Sequence, residues 1–178
     1  MKISFPKQRP ILILALFLMA AFAHADPENF MVDEFTFVRP PAWKWVWEEK
    51  RTNIGLFLDI PGGIINDTVH VYFRIFKGEE GSPENRTKAW RLTFKESADS
   101  LKVRTETRKV GAFTVIYIEM EGTSAHEIHP DYGLFAAVVK MKEGHLVIRM
   151  SGRKKVIDNS KRTFREMVER ALKERESE

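Results

Sequence analysis

The sequence predicts an α+β fold in which helices pack on the faces of a largely antiparallel sheet. Short strand-like runs are joined by connections of hairpin length, which favour antiparallel pairing of neighbours. The runs Phe113–Met120 and Gly133–Val139 are apolar on both faces, so both sides of the sheet must be covered. Near the C-terminus one run has its apolar residues at helical spacing, at Phe164, Met167, Val168, Ala171 and Leu172. We therefore expect four short strands, a helix, four strands and a helix.

The first half of the chain supplies four of the strands. Residues Asp26 to Asp33 are mostly polar, and we expect a loose lead-in there. Alternating or continuous apolar residues then mark four extended segments, at Phe35–Phe37, Trp43–Trp47, Ile54–Ile60 and Val69–Phe76. Pro40 and Pro41 end the first of them, because proline cannot donate to a sheet ladder.

A glycine-bracketed loop and a helix follow the fourth strand. Ser82 is a good N-cap, and Pro83 suits the first helical position, so we expect a helix from there to Phe94. A glycine loop before a helix is also a way to hold phosphate. Here the loop carries three acidic residues that would repel an anion, Glu79, Glu80 and Glu84, and it has no phosphate-binding glycine motif. The pattern therefore favours a plain loop and cap.

The second half supplies the other four strands and the last helix. A strand with one charged face is predicted at Leu101–Val110, and Gly111 turns it into the next strand. Glu143 and Gly144 form a hairpin that leads into a strand at His145–Met150. The last helix is expected from about residue 158, and three residues are suited to cap it, Asp158, Asn159 and Ser160.

Residues 1–25 have the pattern of a signal peptide. Lys2, Lys7 and Arg9 form a positive start, residues 11–22 are continuously apolar, and Ala23, His24 and Ala25 make a small-x-small cleavage site. The apolar stretch is shorter than the roughly 20 residues that span a bilayer. We expect export to the periplasm or the exterior, no stable membrane insertion after cleavage, and one domain over residues 26–178.

Charge and composition exclude several classes of function. Removal of the signal peptide lowers the count of Lys and Arg from 29 to 26, against 25 Asp and Glu, so the net charge becomes +1. Nucleic-acid binding is not expected, because it usually requires a basic patch. The chain has no cysteine, which excludes disulfides, thiolate metal sites and cysteine nucleophiles. No G-x-S-x-G motif for a serine nucleophile is present either.

Aromatic, glycine and serine positions form a series along nearly all of the mature chain. They are Phe35, Thr36 and Phe37 with Pro41 and Trp43, then Phe76 to Gly78, Gly81, Ser82 and Trp90, and finally Ser151 and Gly152 before a helix with Phe164, Met167 and Val168. In this series the chain resembles small exported bacterial proteins of the PsbP-like and DcrB-like fold group. The resemblance implies an α/β/α sandwich and an accessory or binding role, in a family of unknown function.

Two stretches are candidates for contact with a ligand or a partner protein. The first is the acidic loop with Glu79 and Glu80, since exposed loops often carry binding residues. The second is the segment with Trp43, Trp45 and Trp47, whose indoles share one face of an extended chain. Those indoles form either a stacking platform for sugars or bases, or packing anchors of the core.

The best local cluster for chemistry is the segment His126–Asp131. Its two imidazoles and one carboxylate, from His126, His129 and Asp131, are suitable donors for zinc or a similar divalent ion. A loop does not force these donors to converge, so a solvated loop is the other interpretation. We therefore expect an exported, non-catalytic binding or accessory domain for a protein or small ligand of the cell envelope. The alternative is a metal-dependent enzyme that uses this loop.

Overall fold

Seven strands form one sheet in which every neighbouring pair is antiparallel. The computed structural model describes residues 28–45, 56–61, 68–126 and 131–177, and the predicted signal peptide lies outside them. The strands are β1 (Asn29–Val32), β2 (Phe35–Val38), β3 (Lys44–Trp45), β4 (Leu56–Ile60), β5 (Val69–Lys77), β6 (Lys102–Val110), β7 (Phe113–Gly122), β8 (Tyr132–Met141) and β9 (Gly144–Arg153). The large sheet has the order β3-β4-β5-β9-β8-β7-β6, and β1 pairs with β2 in a separate hairpin.

Two helices lie on opposite faces of this sheet, which confirms the predicted α+β class. Helix α1 spans Pro83–Arg91 and helix α2 spans Lys154–Glu176. Along β9, Leu146 and Ile148 belong to a core cluster that includes α2, whereas Val147 belongs to a second cluster that includes Trp90 of α1. Alternate residues of a strand point to opposite faces, so the sheet carries a core on each side. The prediction that β7 and β8 are covered on both faces is therefore confirmed.

The hairpin β1–β2 corrects the prediction of a loose lead-in over residues 26–33. Its strands pair from Asn29 with Val38 to Val32 with Phe35, and Asp33 adopts the positive φ of 54° that the tight turn requires. Phe30 and Phe37 each lie 5.2 Å from Phe73 of β5, measured between ring centroids. The flanking acidic residues make this segment appear polar in the sequence. Burial of its aromatic rings against the sheet nevertheless stabilises the strand.

The start of α2 corrects a second prediction. The helix begins at Lys154, four residues before the expected position, and Arg153 occupies the N-cap without a side-chain cap. Ile157 is buried in the core, so the apolar stripe of the helix extends one turn further back than expected. Asp158, Asn159 and Ser160 therefore lie inside the helix and cap nothing at its start.

The start of α1 agrees with the prediction, but its end does not. Ser82 Oγ accepts a hydrogen bond from Asn85 N at 3.4 Å, and Pro83 is the first helical residue. The helix ends at Arg91 rather than at Phe94, which instead forms an isolated bridge with Ser124. Trp90 is buried in the second core cluster and fixes the helix to the sheet. Neither α1 nor α2 is long and apolar enough to cross a bilayer.

Replacing Phe164 by alanine tests the core under α2. Phe164 is fully buried and contacts Phe135 edge to face, with the ring centroids 5.5 Å apart. We expect the free energy of unfolding to fall by about 3 to 5 kcal/mol because the change leaves a cavity. Urea denaturation measures it. Leu92→Ala is the control, since Leu92 is 78% exposed and its loss should change stability by no more than about 0.5 kcal/mol. Equal effects of the two changes would contradict the packing.

Candidate functional site

A groove remains open on the α1 side of the sheet, because α1 has only 9 residues whereas α2 has 23. Its volume is about 250 Å³. One wall is the start of α1 with the turn before it, and the other is formed by β7, β8 and β9. The lining residues are Glu79, Ser82, Pro83, Glu84, Thr114, Ile116, Val138, Lys140 and His145.

The wall at the start of α1 is held in a fixed position by short contacts. Residues Gly78–Gly81 form a single turn of 3-10 helix. A Cβ on Gly81 would lie 2.6 Å from the Cβ of Phe76 and 2.8 Å from the Cβ of His145, so only glycine lets the turn approach β5 and β9 this closely. Asn85 Nδ2 donates to Glu79 O at 2.7 Å. Glu79 is therefore presented by a well-supported backbone.

The groove combines opposite charges with an apolar floor. Glu79 and Glu84 are exposed acids on one wall, and Lys140 is an exposed cation from β8. Ile116 is half-buried and Val138 is buried, so both present apolar surface between the charged groups. Such a combination suits a ligand or peptide that carries both a cationic and an apolar group.

The sequence reasoning identified only one wall of this groove. Glu79 lines it, whereas the neighbouring Glu80 is exposed but is not among the lining residues, and the contact role of both stays a prediction. The groove residues on β7 and β8 were missed. Lys140 and Ile116 come from strands whose apolar pattern predicts only a buried core. Nothing in the local sequence of these strands shows that the nine-residue helix α1 is too short to cover them.

The tryptophans lie on the other side of the sheet from Glu79. Trp43 is 3% exposed and belongs to the core cluster of α2. Trp45 is half-buried against that cluster and contacts Phe30 edge to face at 5.0 Å between centroids. Trp47 lies outside the described residues. The structure therefore does not bring Trp43 and Trp45 together with Glu79 and Glu80, and it places these two indoles where packing anchors would lie.

The predicted metal ligands are only partly described. His126 is exposed, and its backbone N donates to Ser124 Oγ at 3.2 Å. Asp131 is exposed, and its carbonyl oxygen accepts from Lys154 N at 3.0 Å. His129 lies outside the described residues. Within residues 28–45, 56–61, 68–126 and 131–177, no three His, Asp or Glu residues are grouped so as to hold a metal ion. A zinc site that includes His129 stays a prediction.

Glu119 of β7 takes part in an ion network on the α2 side. Lys161 Nζ lies 2.7 Å from Glu119 and 2.6 Å from Asp158. Burial raises the pKa of both carboxyl groups, but it is outweighed at Glu119 chiefly by Lys161 and at Asp158 by Lys154 and Lys161, so both pKa values are lowered. A carboxylate with a lowered pKa is a poor general base. This network therefore indicates a structural role.

A second part of the network surrounds Tyr117. The Arg165 guanidinium lies over the Tyr117 ring at 4.1 Å and pairs with Glu106 at 2.6 Å. Tyr117 Oη donates to Glu169 at 3.3 Å. Burial, followed by the charge of Glu169, raises the pKa of Tyr117 well above its usual range. The phenol therefore stays protonated at ordinary pH, and it anchors α2 to the sheet.

Lys161→Met tests this network by its dependence on pH. The lowered pKa values of Glu119 and Asp158 mean that the pairs stabilise the fold above about pH 4, and that this contribution is lost as the pH falls further. The pKa of Lys161 is raised, so its contribution persists until about pH 10. We expect the variant to lose about 1 kcal/mol of stability at pH 7 and little at pH 3, as measured by denaturation at both values. Arg162→Met is the control, since Arg162 is 89% exposed. An equal loss at both pH values would contradict the assignment.

No protein-family model matches this chain, and no curated protein matches it in sequence. The resemblance to PsbP-like and DcrB-like proteins therefore stays a prediction. The function has to be argued from the side chains that the fold brings together.

Proposed function

We propose that this protein is an exported, non-catalytic binding domain, and that the groove beside α1 is its contact surface. The proposal of export rests on the signal-peptide pattern of residues 1–25. The observation that carries the proposed binding role is the composition of the groove, whose lining combines the acids Glu79 and Glu84 with Lys140 and with the apolar residues Ile116 and Val138.

The polar groups of the groove favour binding over catalysis. Ser82 Oγ is engaged by the cap of α1, and His145 Nδ1 lies 3.1 Å from Gly78 O. These two groups, which would be the natural nucleophile and base, therefore hold the wall of the groove in place. The acids Glu79 and Glu84 are exposed, which suits them to attract a cationic group rather than to exchange a proton in a water-free site.

The proposed partner is a short segment with at least one cationic and one apolar side chain. Its cation would approach Glu79 and Glu84, and its apolar group would cover Ile116 and Val138. Pairs of this kind at an exposed site contribute up to about 1 kcal/mol each. Burial of the half-exposed apolar floor adds roughly 25 cal/mol for each Å² removed from water.

A charge-swapped pair of peptides tests the groove. A labelled hexapeptide of alternating lysine and leucine should bind more tightly than its glutamate and leucine counterpart, as measured by fluorescence polarisation. The double variant Glu79→Gln with Glu84→Gln should fold normally and bind the lysine peptide about tenfold more weakly, because two attractive contacts are removed.

Glu80→Gln is the matched control for this experiment. Glu80 lies in the same turn as Glu79 and is equally part of the acidic loop, but it is not among the lining residues of the groove. Its substitution should leave the affinity within about twofold of the unmodified protein. If the double variant binds as tightly as the unmodified protein, the groove is not the contact surface.

A further inference from the structure

Three arginines lie close together on the α1 side of the sheet, outside the groove. Arg74 lies on β5, Arg149 on β9 and Arg86 on α1. The Cζ atoms of Arg74 and Arg86 lie 4.6 and 4.3 Å from the centroid of the same Phe76 ring. Arg149 Cζ lies 5.6 Å from the centroid of the Tyr72 ring. We call Arg74, Arg86 and Arg149 the arginine cluster.

The strand register explains why these side chains meet. Tyr72 of β5 is directly opposite Arg149 of β9, and Arg74 is two residues further along the same face of β5. Arg74 Nη1 donates to Tyr72 Oη at 3.4 Å. The guanidinium groups therefore share two aromatic rings, which hold cations by their negative faces.

No carboxylate of the described residues forms a salt bridge with the arginine cluster. On the opposite face Arg104, Arg108 and Arg165 each pair with a glutamate. Asp59, an acid at the β4 and β5 end of the α1 side, pairs with His70 at 2.6 Å. The positive charge of the cluster is thus not balanced within the part of the chain that the structure describes.

Two of the guanidinium groups also contain buried nitrogens without an acceptor. These atoms are Arg86 Nε and Arg149 Nε. Burial lowers the pKa of Arg149, Tyr132 and Tyr72 oppose this effect, and the charge of Arg86 adds to it. A buried donor without a partner and a charge without a counter-charge both cost stability. The fold therefore carries an unfavourable arrangement that an apolar side chain at position 149 would relieve.

From this geometry we infer that the arginine cluster binds an oxyanion, a phosphate ester or a carboxylate. Arg86 and Arg149 are half-buried and Arg74 is exposed, so the cluster is partly open to solvent. Rigid guanidinium forks match the paired oxygens of such anions. An anion would supply the counter-charge that no described carboxylate provides.

The arginine cluster is a different site from the groove. Both sites use α1 and β9, but they share no residue: the groove extends over β7 and β8 to Ile116 and Val138, whereas the cluster extends to Arg74 of β5. The groove attracts cations through Glu79 and Glu84, and the cluster attracts anions. The inference therefore does not depend on the proposed function, and variants at either site separate the two.

Calorimetric titration with sodium phosphate and with sodium citrate, in a low-salt buffer, tests the inference. The unmodified protein should release or absorb heat on binding, show a raised Tm, and bind more weakly when sodium chloride is added. Arg149→Met should weaken binding at least tenfold. Without any anion its Tm should equal or exceed that of the unmodified protein, because an unbalanced buried charge has been removed. A merely structural arginine would lower the Tm instead.

Arg162→Met is the matched control, since Arg162 lies on α2 and is 89% exposed. It should leave the affinity for both anions unchanged. Arg86→Gln serves as a second variant, so that the inference stays testable if Arg149→Met does not fold. The ratio of the affinities for phosphate and citrate distinguishes a phosphate ester from a carboxylate. Absence of binding of either anion, or equal binding by Arg149→Met, Arg86→Gln and Arg162→Met, would overturn the inference.

Discussion

The structure depends on the apolar character of its central strands on both faces. In β8 every residue from Gly133 to Val139 is buried, and β7 and β9 on either side of it are nearly as apolar. A strand of this kind is stable only if each face of the sheet is covered. Two separate core clusters therefore form, one on each side, and the rest of the chain is arranged to cover them.

The two covers are unequal, and this difference produces the candidate sites. One face is covered by the 23 residues of α2 together with the hairpin β1–β2, whose Phe30 and Phe37 contact Phe73. On the other face, the described cover is the 9-residue helix α1 and the segment after it, which contributes Phe94 and Leu101. The short helix is anchored by Trp90 and leaves a groove open beside it. The groove opens towards β7 and β8, and the arginine cluster lies towards β5 and β9.

Charge is distributed in the same unequal way. On the α2 side, Lys161 pairs with Glu119 and Arg165 with Glu106, so the charged groups connect helix and sheet. Arg108 and Arg165 lower the pKa of Glu106, and Lys161 lowers that of Glu119 against the effect of burial, so the pairs secure the helix. Arg165 Nη1 is also buried without an acceptor, but its guanidinium pairs with Glu106, whereas Arg86 and Arg149, whose Nε atoms are buried without an acceptor, form no salt bridge with a described carboxylate. Paired charges thus support the closed face, and the two arginines without a described carboxylate partner lie on the face that we propose for binding.

The sequence by itself determined the fold class, the central strands and both helices, because periodicity, the Ser82 cap and Pro83 are local signals. It left open whether Trp43 is a stacking surface or a packing anchor, and burial in the core showed that it packs. Only the tertiary structure decided the strand β1 and the early start of α2, since burial of Phe30 and Ile157 outweighed polar neighbours. It alone placed Glu79 and Lys140 in one groove, and Arg74, Arg86 and Arg149 beside the same pair of aromatic rings. These residues are far apart in the chain, and their proximity arises from strand register and from the length of the covering helix.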